Sequence, residues 1–522
     1  MKYKSRVIAS IVVVVVFMFT GVKFLHVSHD LRYTQQQQQY KGVNHDVVKD
    51  HLKPRDLDVK ADDKEKDSVK IEKDDHVHGA DSKERYINKN GEDRKSGNQS
   101  NMEFLPNIVM FHEDIERLFN QLETIDGFGF SRQILLDTPF KEMALHLGRK
   151  SREKSSYLLR WDTHELRDDR TSNFVRFHHG IRAAALYNPE DPAVDGLLHD
   201  MATDTIKSLS MIESGTELKF LIRFRKGTKA VFKPMRWGRE VETLPNHFYF
   251  NDFERHNSEI AAFHLDRILG FYRVPPVTGR FLNMTREIYD LGERALRRTF
   301  FTSPIGNTCF FGVCDYYCDS NHAFCGHGDM IEGSLMVWLP DGREAYRDSW
   351  KSPYRRSYSK IRNADWETNK DYCQNLMEGS YYLYKRFIPD LIDSHIFDFL
   401  TGNMDRHHVE VFAKLRNDSC PIHLDNGRGF GKANKDEISI IEPLKQCCRI
   451  RKSTFLKLSK LYVGPERLSI LLDTSLRSDP VYPVVVSGHL HALDRRVKYM
   501  LTIVADCVEK YGYSKVILAD GF

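Results

Sequence analysis

The reading of the fold turns on Asp398-Phe399-Leu400-Thr401-Gly402-Asn403-Met404-Asp405-Arg406-His407-His408, followed by Ile422-His423-Leu424-Asp425-Asn426-Gly427. An apolar helix, Leu391 to Leu400, runs into a polar loop carrying Asp405. A short β-hairpin is then expected to bring Asp425 to a glycine turn. Loops held by rigid elements are where chemistry concentrates. Two aspartates so placed suit one acid-base residue and one metal ligand, the pair that phosphoryl transfer requires. Loop capping is the plainer role for both, because Asp-x-Gly turns are common.

Working upstream, Glu217 to Arg225 alternates with period two, turns at Lys226-Gly227-Thr228 and returns through Ala230 to Lys233. That is a β-hairpin, and it sets Lys219 and Lys233 on adjacent strands. Such lysines either protect a sheet edge or meet phosphate oxygens. A helix is expected from Asp252 to Leu269, stopped by Gly270. Asn251 with Glu254 fits a capping box, while a kinase helix offers a glutamate from such a place to a lysine or a metal. Lysine strand followed by glutamate helix is the order of a kinase N-lobe. The ordinary signatures are missing, however. No G-x-G-x-x-G precedes Lys233, Glu410 stands where asparagine is usual, and Asn426 replaces the phenylalanine of D-F-G. A standard cytosolic kinase is excluded.

The rest of the 522 residues frames this centre. A net charge of +4 and the want of a basic-aromatic platform argue against nucleic acid. Lys2, Lys4 and Arg6 precede an apolar run from Val7 to Val22, so residues 1–30 read as a signal-anchor of type II or a cleaved signal peptide. Either places the body in the lumen or outside the cell. Residues 31–100, rich in Gln, Lys, Asp and Glu, read as a disordered stalk. Residues 101–215 read as a helical extension, with helices from Phe111 to Leu122 and Phe140 to Leu147. A strand is expected from Glu332 to Leu339, and helices over Ile438 to Leu444, Ser453 to Leu461 and Leu490 to Val508. The nine cysteines all fall from Cys309 onward, at spacings that suit disulfides better than zinc. Nine is odd, which leaves one thiol free. Asn98, Asn283 and Asn417 head N-glycosylation sequons.

The segments from Phe397 to His408, His423 to Gly431, Gln446 to Thr454 and Phe253 to Arg267 resemble the secretory-pathway kinases called "family with sequence similarity twenty". The Golgi casein kinase branch is the nearest, and the similarity runs from about Ser214 to Val508. It implies an α+β, atypical bilobed protein-kinase-like fold, with a β-rich N-lobe carrying a Cys-rich insert over 216–340 and an α-rich C-lobe over 341–522. It implies Asp405 as catalytic aspartate and Asp425 as metal ligand. Lys219 and Lys233 would meet ATP phosphates, and Glu254 would be the acidic partner near lysine and metal. The cofactors would be ATP and Mn²⁺, with Mg²⁺ as substitute. Cysteine pairing by resemblance is Cys309–Cys325, Cys314–Cys318, Cys373–Cys447 and Cys448–Cys507, leaving Cys420 free. Glycans are implied at Asn283 and Asn417.

The implied acceptors are serines in Ser-x-Glu segments of secreted proteins. Arg355, Arg356, Arg428, Arg449 and Arg451 are basic groups able to hold the acid, or ordinary structural arginines. A glycan kinase acting on xylose, and a non-catalytic pseudokinase that activates a partner, are the alternatives. Pairing with a second copy or with a related pseudokinase, and residence in the Golgi lumen or medium, complete the implied picture.

Overall fold

The computed structural model describes residues 108–123, 132–147, 149–159, 171–212, 217–244, 252–315, 317–359, 361–379 and 386–520. The N-terminal apolar run, the stalk, Asn98 and Asn251 lie outside these residues. Among the described residues no helix is long and apolar enough to cross a membrane.

Helix α1 (Ile108–Glu123) turns Ile115, Leu118 and Phe119 inward, at the three- and four-residue spacing of one helical face. Helix α2 (Pro192–Thr203) opens on Asp191, whose carboxylate accepts from the Ala193 N–H at 2.9 Å, with proline in the first turn. The main sheet is built from β1 (Ile206–Met211), β2 (Phe220–Phe224) and β3 (Lys229–Pro234), joined by β4 (Val277–Asn283) and β5 (Met330–Val337). Its spatial order is β1-β2-β3-β5-β4, antiparallel throughout. The sheet therefore starts at Ile206, before the lobe boundary at 216 expected from the hairpin. β1 escapes notice because Ile-Lys-Ser-Leu-Ser-Met shows only a broken alternation, and its pairing with β2 carries a bulge.

Helix α3 (His256–Leu269) lies between β3 and β4 in sequence and packs against the sheet. It starts later than the sequence suggests. Arg255, extended at φ −106°, is the residue before the first turn, and Gly270 closes the helix at φ 67°. Glu254 consequently lies outside the helix and is no capping residue, which releases its side chain for another use.

Beyond the sheet, β6 (Arg347–Lys351) precedes the central helix α4 (Phe387–Thr401). Almost every residue of α4 is buried, its three aspartates included, so each of these needs a cationic partner. Strand β7 (His408–Phe412) follows the Asp405 loop. It pairs along its whole length with β6, not with the segment leading to Asp425; there only Glu410 bridges Ile422. The expected hairpin is thus reduced to one contact. The 3₁₀ turn Ala413–Asp418 turns the chain away, and Pro421 has no N–H to extend a ladder. Helices α5 (Lys452–Val463), α6 (Leu468–Leu476) and α7 (Ser487–Tyr511) complete the helical part. Asp390 and Asp393 of α4 are buried, compensated by Arg273 and Arg451 with N–O distances of 2.7 Å to Asp390. Arg451 is thereby structural.

Disulfides join Cys309 to Cys325, Cys314 to Cys318, Cys373 to Cys447 and Cys448 to Cys507. Cys420 is free and buried. The Cys448–Cys507 bridge spans 59 residues and clamps α7 to the chain before α5. Loop-closure entropy gives such a bridge about 4 kcal/mol. Replacing both cysteines by serine is expected to lower stability by that order, read as a lower urea midpoint under non-reducing conditions.

Candidate active site

Lys233 on β3 is the centre of the first half of the site. Its Nζ lies 2.8 Å from Glu254 Oε2, 2.6 Å from Glu259 Oε1 and 3.5 Å from Asp425 Oδ1. Burial opposes its charge, but the three carboxylates hold its pKa well above the usual lysine value. Glu259 was not anticipated from sequence. It is set in the helical run Glu259-Ile260-Ala261-Ala262-Phe263, and a carboxylate embedded in apolar neighbours needs a cation once buried. That demand was the available signal. Glu254 is fixed through its backbone, whose N–H donates to Glu217 Oε1 at 2.8 Å. Glu217 in turn pairs with Arg236 at 3.2 Å. Burial drives the Glu217 carboxyl up to about 7, with Arg236 opposing and Glu254 adding to the rise.

Asp425 approaches Lys233 from the other side. Its φ of 53° is left-handed, a conformation that Asp and Asn tolerate better than most residues. The turn after it is stitched to the start of α3. The Arg255 N–H donates to the Gly427 carbonyl at 2.7 Å, Ser258 Oγ to the Asn426 carbonyl at 2.5 Å, and the Asn426 N–H to Glu259 Oε2 at 3.2 Å. Gly427 is required because a Cβ there would meet the Glu254 Cβ at 2.9 Å. The Asp425 carboxylate itself is open to solvent in a cleft crowded by protein. Desolvation by that protein would raise its pKa, yet Lys233, Lys219 and Arg406 hold it below the usual carboxylate value. Lys219, just before β2, thus contributes its charge to the same cleft.

The second half is the loop after α4. Gly402, at φ 75°, ends the helix and turns the chain toward Asp405. The Asp405 N–H donates to Asn403 Oδ1 at 3.0 Å. Arg428 Nη1 lies 2.8 Å from Asp405 Oδ2, and His407 Nδ1 lies 3.0 Å from Oδ1. Arg406 joins the two halves. Its guanidinium grips Asp398 through Nε at 3.0 Å and Nη2 at 2.8 Å, then reaches the Leu424 carbonyl and Asn426 Oδ1 beside Asp425. Glu410, five residues beyond Asp405, is engaged within the sheet. It sits in β7 and pairs with Arg347 at 2.8 Å.

The hydrogen bond to Asp405 raises the His407 pKa above its ordinary 6.5, against a partial desolvation penalty. The stabilisation from the charged pair is therefore complete below about 6.5 and is lost as pH climbs through the raised value. In an NMR titration, His407 is expected to titrate above 6.5 in the native chain and to fall back toward it in Asp405→Asn.

Glu254, Glu259 and Asp425 bring three carboxylates to one lysine, leaving more negative charge than Lys233 neutralises. All the donors are hard oxygens. Among the described residues no three such side chains are gathered closely enough to hold an ion, and both Glu259 oxygens are engaged, but the oxygen donors of Asp425 and Glu254 are of the type that Mn²⁺ or Mg²⁺ prefers. Asp425 and Glu254 are the residues that would hold it.

A family model described as "Fam20C: Golgi casein kinase, C-terminal, Fam20" matches residues 172–516. The chain is 52% identical over 350 residues to human extracellular serine/threonine protein kinase FAM20C, covering 67% of this chain and 60% of that protein. It is 44% identical over 364 residues to mouse pseudokinase FAM20A, covering 66% of this chain and 67% of the relative. It is 40% identical over 337 residues to human glycosaminoglycan xylosylkinase, covering 64% and 80%. The match thus spans three fifths of the length of the human FAM20C kinase. Among solved structures, the Golgi casein kinase with Mn/ADP bound superposes with a TM-score of 0.68 at 39% identity, covering 81% of this chain and 96% of that one. The sheet and helix α3 on one side of the cleft and the α4–α7 helices on the other are the two lobes of that atypical kinase fold, and this chain belongs to the Fam20 family.

Proposed function

We propose that this chain is a protein kinase of the secretory pathway, acting on serines in acidic Ser-x-Glu segments. The observation that carries the reading is the joining of two half-sites by Arg406: Lys233 with three carboxylates, and Asp405 on a loop held by the same arginine. In the reaction, Lys233 and Lys219 bind ATP phosphates. Asp405 orients the acceptor hydroxyl and takes its proton as the new O–P bond forms and the bond between the γ-phosphorus and the β–γ bridging oxygen breaks, releasing ADP. Asp425 and Glu254 are the residues that would hold a divalent cation, which when bound would neutralise charge on the phosphates.

The Glu254 side chain supports an active enzyme over a pseudokinase, since it stands beside Lys233 at 2.8 Å. Related pseudokinases exist in the family, and pairing with one of them or with a second copy is part of the proposal. The basic-flanked apolar N-terminus supports a Golgi lumenal or secreted location. Asn283, whose Oδ1 caps the following turn at the Arg286 N–H, is half-exposed and is proposed with Asn98 and Asn417 as a glycan site.

The test is a side-by-side assay of the purified full chain with Mn²⁺ and ATP on a Ser-x-Glu peptide and on a xylose-containing linkage disaccharide. Phosphate on the peptide and none on the sugar is expected. Transfer to the sugar alone makes it a glycan kinase. ATP binding with transfer to neither makes it a pseudokinase.

A further inference from the structure

Both oxygens of Asp405 are taken. His407 Nδ1 caps Oδ1 at 3.0 Å, Arg428 Nη1 caps Oδ2 at 2.8 Å, and the Asp405 side chain keeps only 13% of its surface exposed. A base must come within about 2.6–3.2 Å of the proton donor it serves. Each oxygen keeps a second lone pair, but with so little of the side chain exposed the two caps screen it, and an acceptor hydroxyl gains access when one of them withdraws. His407 is two residues away on the same loop, and its Nδ1 also contacts the Asp405 carbonyl at 2.8 Å, so it travels with Asp405. Arg428 comes from the other loop on a long side chain.

The surroundings of Arg428 offer it somewhere else to go. It lines a small cavity of about 40 Å³ together with Met404, Lys432, Lys435 and Glu437. There Lys432 and Lys435 share one carboxylate, Glu437, at 3.7 and 3.2 Å. Arg428, Lys432, Lys435 and Arg496 line this cavity against the carboxylates Glu437 and Asp252, which leaves a surplus of positive charge, and a carboxylate arriving beside them would give the guanidinium a forked partner in place of its one-nitrogen contact with Asp405.

We infer that Arg428 is a latch on Asp405 that the acidic side chain of the acceptor opens, so that this arginine sets both acceptor preference and the release of the base. The inference rests on the function proposed above. A neutral acceptor must break the Arg428–Asp405 pair without compensation, whereas an acidic one exchanges it. The discrimination expected from one charge-assisted contact is about tenfold to a hundredfold.

The experiment measures kcat/KM of the full chain with Mn²⁺, ATP and two peptides differing only in Glu or Gln at the second position after serine. The native enzyme is expected to favour the Glu peptide at least tenfold. Arg428→Gln is expected to raise the rate on the Gln peptide and so collapse the preference. Lys432→Gln, which removes a cation that does not touch Asp405, is expected to weaken the preference without that gain. A residue that merely binds the acid, or merely holds the loop, cannot increase turnover of the neutral peptide. A Gln-peptide rate that stays level or falls in Arg428→Gln overturns the latch. Should that variant misfold in a thermal melt, Arg428→Lys, which retains the charge and loses the fork, is expected to show a smaller gain of the same sign, and no gain overturns the latch. Transfer by the native chain to the Glu peptide stands as evidence for the kinase whatever these variants do, so the two ideas fail separately.

Discussion

Asp425→Asn is expected to abolish phosphoryl transfer, with kcat/KM lower by about a thousandfold or more, since an ion that neutralises phosphate charge supplies several kcal/mol to the transition state. Asparagine is the informative replacement. It accepts the left-handed backbone of position 425, φ 53°, so the turn through Asn426 and Gly427 is kept. Lys233 also keeps two partners, Glu254 at 2.8 Å and Glu259 at 2.6 Å. The fold should therefore survive while the cation site is lost. Thermal melts separate the two effects. Mn²⁺ with ADP at about a hundred times Kd should stabilise the native chain by about 2.7 kcal/mol, and Asp425→Asn should lose that increment. An active Asp425→Asn enzyme, or one whose melting still responds fully to Mn²⁺ and ADP, would remove Asp425 from the metal site.

Arg406→Ala should be the most damaging single change to stability in the cleft, at about 3–5 kcal/mol. The arginine side chain is only 8% exposed and its partner Asp398 1%. Burial works against the guanidinium, yet Asp398 more than compensates and holds the Arg406 pKa above its ordinary value. Removing the arginine strands a carboxylate at the end of α4 and frees the Leu424 carbonyl and Asn426 Oδ1 from their donor. Adding Asp398→Asn should recover part of the loss, because the residual cost is mainly that of an uncompensated charge. Urea denaturation of the native chain, the single variant and the double variant measures both. A loss under about 1 kcal/mol for Arg406→Ala would show that the tie between the loops carries little weight.

Much of the architecture was legible because it rests on local pattern. The alternation over Phe220 to Phe224 follows from period-two burial on one face of a sheet, while the returning strand, Lys229 to Pro234, is buried on both faces. The apolar residues of the run ending at Gly402 indicated a helix, although its buried aspartates did not. What escaped was non-local. The chain from β7 to Asp425 looked like a hairpin in isolation, but the better partner for His408–Phe412 was β6, far back in sequence. Glu254 looked like a helix cap at the residue spacing of a capping box. Its backbone is instead recruited by Glu217 and its side chain by Lys233, and neither competitor is adjacent in the chain.

By itself the sequence determined that an apolar helix would end in a loop carrying Asp405, that Asp425 would sit on a tight turn, and that strand lysines and a glutamate would precede them. Those are consequences of side-chain periodicity, glycine placement and local polarity, which act over a few residues. Only the tertiary structure decided which charges meet. Glu259 joined Lys233, Arg406 spanned from Asp398 to the Asp425 turn, and Arg428 closed over Asp405, because a buried charge takes whatever opposite charge packing brings within reach. The two aspartates of the opening stretch are loop carboxylates in the sequence. Packing gives one a lysine, the other an arginine, and both a common tether.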